Sequence, residues 1–242
     1  MDTPSAGPRA LAEAAKAGPY FTIQAWSAGA GWQPLRALLS DPAVLAARVG
    51  HTRRGLARHA GCATAAVEPR VAASVLYLGL AAQLVSPLLG AAVLAGVVPR
   101  LTAADLYWKP APGGPWPLAA RPVDGMRCHG LTAQQTAGQL ADRIQHLTGP
   151  LASTIQLAFQ LSGQVLRGNT ASALAGASAT LAATFPAQAG RATELAAGIL
   201  AREPLRGSGE FGPDGRFLRR SCCLLYRVPG AGMCGDCLLA AR

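Results

Sequence analysis

Apolar positions along the 242-residue chain recur at helical spacing, in blocks separated by short clusters of Pro, Gly and charge. Pro4 to Ala17 predicts a short helix, supported by the Glu13 and Lys16 pair and stopped by Gly18 and Pro19. Irregular chain is expected next, where Gly29, Gly31 and Pro34 break the run around Trp26 and Trp32. Asp41 followed by Pro42 predicts a helix start, with Val44, Leu45 and Val49 facing inward. Val71 to Val98 holds no charged residue and is bracketed by Arg70 and Arg100. A membrane span needs roughly 20 apolar residues, so length alone permits one. Ser86 and Pro87 interrupt the run, and Gly79, Gln83, Gly90 and Gly96 dilute it. Two buried helices meeting at Ser86-Pro87 are therefore expected, without stable membrane insertion.

Leu106, Tyr107 and Trp108 lead into a stretch with Pro110, Pro112, Gly113, Gly114, Pro115 and Pro117, which predicts a loop or a short hairpin. Helical pattern returns at Leu131, where Thr132 can cap a segment carrying Leu140, Ile144 and Leu147. Breaks are expected at Gly149-Pro150 and again at Arg167 to Thr170, and Pro186 should start a last helix ending near Arg202 to Pro204. Gly207, Gly209, Gly212, Pro213 and Gly215 form a flexible connection into the C-terminal residues. The expected fold is mainly α: a single helical domain over residues 1–205, with a Pro/Gly-rich loop or short β-hairpin, and a small C-terminal lobe over residues 206–242.

Composition sharpens this picture. Hydrophobic residues make up 50% of the chain and aromatics 5%, so the core must be built from Ala, Leu and Val, which favours close-packed helices. The net charge of +10 is carried by arginine, Lys16 and Lys109 being the only lysines. Nucleic acid is disfavoured as a partner, because aromatics are scarce and no zinc-finger, RNA-recognition or helix-turn-helix signature occurs. Arg48, His51, Arg53, Arg54, Arg58 and His59 form a basic segment that reads as a solvated helix face or as a docking surface for an acidic electron donor. Met1 to Gly18 carries no apolar run of signal-peptide type, so a cytoplasmic location is expected, free or peripheral at the inner face of the membrane.

Chemistry concentrates at the end of the chain. Four of the six cysteines, Cys222, Cys223, Cys234 and Cys237, form a Cys-Cys-x10-Cys-x2-Cys pattern. In a reducing compartment such a cluster is more often a metal or redox site than a set of structural disulfides. Structural zinc, a disulfide pair, a thiol-disulfide redox site and an iron-sulfur cluster all have to be weighed. Zinc prefers two separated Cys-x2-4-Cys knuckles, and only Cys234 and Cys237 make one. A 2Fe-2S cluster takes four thiolates spread over a larger object, and Pro229, Gly230, Gly232 and Gly235 suit a loop bent around it. Arg219, Arg220 and Arg227 would raise its potential if near, and Asp236 would oppose them. Cys128 beside His129 reads as a structural pair. No dinucleotide fingerprint follows a strand, so direct nicotinamide or flavin binding is not expected.

With Arg220 before it, Tyr226-Arg227 and Pro229-Gly230-x-Gly232 within it, and Cys234-Gly235-Asp236-Cys237 closing it, this ending resembles the FhuF-like siderophore-iron reductases. Leu106-Tyr107-Trp108 and Gly168-Asn169-x-Ala171-Ser172-Ala173-Leu174 resemble looser segments of the same family. The resemblance implies one 2Fe-2S cluster held by Cys222, Cys223, Cys234 and Cys237. It also implies one-electron reduction of siderophore-bound ferric iron in the cytoplasm, for instance of a hydroxamate type. The electron would come from a ferredoxin or flavodoxin-type donor. A siderophore-facing cleft is expected between the helical body and the loop from Trp108 to Asp124. A non-catalytic iron-sulfur carrier or sensor is the alternative, and structural zinc is a more distant one.

Overall fold

The computed structural model describes residues 6–29, 31–111, 114–212 and 214–239; Pro4, Pro112, Gly113 and Pro213, on which some expectations fell, lie outside them. The protein is mainly α, with 57% of the chain helical and 10% in strands. Its centre is one 26-residue helix. In chain order the helices are α1 (Ala6–Ala15), α2 (Ala37–Ser40), α3 (Pro42–His59), α4 (Pro69–Leu94), α5 (Ala133–Phe159), α6 (Gly163–Thr184) and α7 (Ala189–Leu200). Helix α4 packs against α1, α3, α5, α6 and α7.

The two helices expected to meet at Ser86-Pro87 are this single α4, with Pro87 inside it. A proline removes one helical hydrogen bond and crowds the preceding turn. Here Val85 to Val93 are buried without exception, and packing from neighbours on every side holds the two halves in line. The helix is long and apolar enough to cross a membrane by length and composition, but 78% of its apolar window is buried inside the protein.

Asp41 caps α3 as expected, its Oδ1 accepting from the amides of Ala43 (2.8 Å) and Val44 (3.3 Å). Leu45 and Val49 are buried, and Val44 is half-buried. Thr132 caps α5 through a reciprocal box with Gln135. The expected break at Gly149-Pro150 does not occur, because α5 runs through Pro150 to Phe159 and ends at Gln160 in a left-handed conformation. Ser162 then caps α6, and Arg167 to Thr170, expected as an interruption, lie within that helix. Gly168, Asn169 and Thr170 are buried there, so tertiary contact overrides their weak helix propensity.

Two strands stand in the stretch expected to be irregular, β1 (Ile23–Ala25) and β2 (Gln33–Pro34). Next come β3 (Val97–Pro99), β4 (Leu106–Trp108), β5 (Leu118–Ala120) and β6 (Gly125–Arg127). The expected hairpin is β4 against β5, and it grows into a four-stranded sheet of order β1-β5-β4-β2, with β1 parallel to β5. A separate antiparallel pair joins β3 to β6.

Alternation on β4 explains the enlarged sheet. Leu106 and Trp108 point inward, where Trp108 stacks on Trp116 at 4.7 Å and Arg48 sits 5.3 Å from the Trp108 ring. Tyr107 points outward and stacks on Trp26 at 4.8 Å, which recruits the β1 segment. Buried Gln83 of α4 fastens the loop by donating to the Trp116 carbonyl and accepting from its amide.

Helix α1 crosses α4 at Gly90, where an added Cβ would lie 3.0 Å from both Ala14 Cβ and Phe21 Cδ1. Replacing Gly90 by Val is expected to cost about 1–3 kcal/mol by overpacking, read as a lower urea midpoint with an unchanged slope.

Candidate metal centre

Beyond Leu205 the chain forms an antiparallel pair, β7 (Gly209–Phe211) with β8 (Phe217–Arg219), followed by the cysteine segment. Arg219, the last residue of β8, is only 1% exposed. Its Nη2 donates to Asn169 Oδ1 of α6 at 2.7 Å. Asn169 Nδ2 in turn donates to the carbonyl and the hydroxyl of Ser74 on α4, each at 3.0 Å. Ser74 Oγ donates to the Cys223 carbonyl at 2.8 Å. A continuous run of buried hydrogen bonds thus ties the cysteine segment to the two helices at the centre of the body.

Glycine at position 168 is what lets this contact form. A Cβ there would collide with the Ser221 hydroxyl, next to the Arg219 guanidinium. At the other side of the segment Arg227 pairs with Glu68 at 2.7 Å, just before α4, and Val228 is buried. The chain turns at Leu224, Gly230 and Gly232, all with positive φ, as the expected bend requires.

These constraints bring the four C-terminal cysteines into one electrostatic group. Cys223 Sγ lies 3.4 Å from Cys234 Sγ, and Cys222 interacts with Cys223, Cys237 and Arg219. The separation of 3.4 Å is well beyond a disulfide bond of about 2.05 Å, and all four thiols are free. Amide N–H groups already point at two of the sulfurs, from Leu224 to Cys222 (3.3 Å) and from Leu239 to Cys237 (3.4 Å). Burial pushes the Cys234 thiol far up, and its hydrogen bond and charge interaction with Cys223 add to this. Burial also raises Cys222, against the opposing pull of the Leu224 amide and Arg219. Thiols raised by burial and by one another become thiolates readily only against a bound positive centre.

Among the described residues no three His, Cys, Asp or Glu gather around a single point. Cys223 and Cys234 stand in contact, and Cys222 interacts with both Cys223 and Cys237, so the segment offers four adjacent thiols to a metal centre. Buried polar atoms beside them have no hydrogen-bond partner: Arg219 Nε and Nη1, Ser221 Oγ and Asp236 Oδ2. Arg219 Nε and Asp236 Oδ2 face each other as an ion pair at 3.7 Å. Spare donors on a buried cation fit an anionic group held by four thiolates.

Residues 219–237 match the FhuF 2Fe-2S C-terminal domain. The FhuF-like resemblance of the sequence is thereby supported, and the matched residues run from buried Arg219 to Cys237. The matched segment contains all four cysteines of the pattern, and its similarity to a 2Fe-2S domain points to an iron-sulfur site. No curated protein matches the chain.

The other sequence candidates take partners away from the four thiols. Arg220 pairs with exposed Glu210 at 3.0 Å. Cys128 is buried in the body, and burial raises its thiol against a hydrogen bond with Thr136, as suits a structural cysteine. Trp108 and Trp116, taken as part of a cleft, are buried. Ser74 and Asn169 went unread as site residues, although a serine inside an uncharged apolar run and an asparagine inside a small-residue run were both visible. Replacing Asn169 by Leu keeps the branched shape but adds volume and strands the Arg219 charge, and it is expected to cost about 3–5 kcal/mol. Iron per chain should fall with it, measured by urea unfolding and metal analysis of the purified variant.

Proposed function

We propose that Cys222, Cys223, Cys234 and Cys237 hold one 2Fe-2S cluster and that the protein reduces siderophore-bound ferric iron to ferrous iron in the cytoplasm. The observation that carries this reading is the FhuF 2Fe-2S match over a segment whose four thiols lie together beside a buried arginine. When bound, the cluster supplies a one-electron reductant.

The chain's own residues set the conditions for that chemistry. Arg219 places a fixed positive charge under the thiolates, favouring an additional electron there. Asp236, held against Arg219, limits that effect. Backbone amides of Leu224 and Leu239 hydrogen-bond to sulfur and favour the more negative state. Serine and asparagine beneath them keep the segment from shifting when its charge changes.

A substrate surface is offered by a concavity of about 310 Å³ between the β7–β8 pair and the last cysteine knuckle. It is lined by Phe217, Leu218, Arg216, Gly235, Asp236 and Cys237. This opening abuts a cysteine of the cluster directly, whereas the Trp108 to Asp124 loop turns its indoles into the core. Oxygen donors of a siderophore bind ferrous iron far more weakly than ferric iron, so reduction at this surface releases the metal.

Reduced holoprotein mixed anaerobically with ferric hydroxamate siderophores is expected to lose its reduced-cluster signal and give one chelatable ferrous ion per electron. Retention of the electron in the presence of every siderophore tried would instead assign a carrier or sensor role. Zinc, with no visible absorption, would assign a structural site. Replacing Leu218 by Glu is expected to slow that reoxidation about tenfold or more while leaving the iron content unchanged, since Leu218 lies on the rim of the concavity and outside the ligand set.

A further inference from the structure

Five large apolar side chains are exposed among the described residues: Tyr20, Leu157, Leu218, Tyr226 and Met233. Three of the five lie in the C-terminal lobe. Leu218 borders the concavity above, but Tyr226 (50% exposed) and Met233 (59%) belong to the loop between Cys223 and Cys234. An aromatic ring and a thioether kept in water on a loop bounded by cysteines mark a contact surface.

That loop is seated at the C-terminal end of α3. Arg227, adjacent to Tyr226, pairs with Glu68, and Gly230 faces the Ala60 carbonyl so closely that a Cβ would come within 3.1 Å of it. Residues 42–67 carry four arginines and two histidines and no Asp or Glu. Arg54, Arg58 and His59 are exposed, and neither arginine takes part in an ion pair among the described residues. Glu68, the first carboxylate after this stretch, is already engaged by Arg227. Arg58 and His59 lie in the last turn and complement the helix dipole, but Arg54 lies outside that turn.

We infer that Tyr226 and Met233, together with the arginines at the end of α3, form the docking surface for a small acidic protein that delivers electrons. The inference rests on the iron-sulfur reading of the lobe, because only that reading needs a donor. Apolar side chains flanked by unpaired positive charge match the centre and rim of a transient protein interface. The charges steer an acidic partner, and the apolar pair makes the contact. A lipid surface fits less well, since Leu45, Val49 and Ala57 of α3 are buried and leave no apolar helix face free to enter a bilayer. The transfer served by this docking is one electron lost by the donor and one gained by the protein, with no bond made or broken. The donor face and the Leu218 concavity use different residues, so donor and ferric chelate need not compete.

Isothermal titration of the iron-loaded protein with an oxidised acidic 2Fe-2S ferredoxin and with an acidic flavodoxin tests this. At least one should bind at low ionic strength, with affinity falling about tenfold or more at high salt. The double substitution Arg54→Glu and Arg58→Glu should weaken binding about tenfold or more, with visible absorption and reoxidation by ferric siderophore unchanged. Tyr226→Ala should weaken it at high and low salt alike. Absence of binding to both proteins, or equal binding by the double variant, would overturn the docking surface. So would loss by that variant of binding to phosphatidylglycerol vesicles while neither protein binds. A wild-type preparation without iron-sulfur absorption would overturn the reading of the lobe, and the inference with it.

Discussion

A fully buried guanidinium is the constraint on which the rest of the cysteine segment depends. Taking an isolated charge out of water costs several kcal/mol even after relaxation, so Arg219 can stay inside only where its surroundings answer the charge. Asn169 answers it from the middle of α6, and Asp236 answers it from within the cysteine knuckle. One side chain therefore touches both the helical body and the cysteine segment, and the segment is positioned by the requirement that Arg219 be satisfied. Its remaining unpaired donor is a positive charge still owed an anionic neighbour, which four metal-bound thiolates beside it would supply.

Helix α4 makes that arrangement rigid. Ser74 and Tyr77, three residues apart on one face, are pinned to adjacent positions of α6, to Asn169 and to Thr170 (2.8 Å). Burial raises the Tyr77 hydroxyl's pKa against hydrogen bonds with Thr170 and Thr148, which keeps it a neutral strut. Farther along the same helix Gln83 fixes the Trp116 loop, and Gly90 admits α1. A single helix, uncharged beyond Arg70 in its first turn, thus carries the polar contacts to the cysteine segment near its start and the packing contacts of the body along the rest of its length.

The cysteine pattern and its likeness to a 2Fe-2S segment were legible because candidate metal ligands are few residue types at constrained spacing, and Cys222, Cys223, Cys234 and Cys237 stand close in sequence. Local rules also found the caps at Asp41 and Thr132, since capping is decided within four residues. Proline misled at positions 87 and 150, where packing from neighbouring elements outweighs a lost hydrogen bond that local reading counts as a break. Strands β1 and β2 were missed because three and two residues hold too little alternation to register, and it is the stacking of Trp26 on Tyr107 that reveals the partner. Arg219, Asn169 and Ser74 are separated by up to 145 positions, and nothing in spacing could join them.

The functional reading follows from this architecture. The four cysteines proposed as ligands are crowded and backed by a buried cation; a concavity reaches Cys237, and Tyr226 and Met233 stand exposed on the loop between Cys223 and Cys234. Such a site suits entry and departure of single electrons more than it suits a structural metal sealed in a core. Mössbauer spectroscopy of anaerobically purified, iron-57-enriched protein tests the central claim most directly. Two ferric irons in all-sulfur coordination per chain, one becoming ferrous on one-electron reduction, are predicted; a chain that binds zinc, or a single iron, at these four cysteines would contradict it.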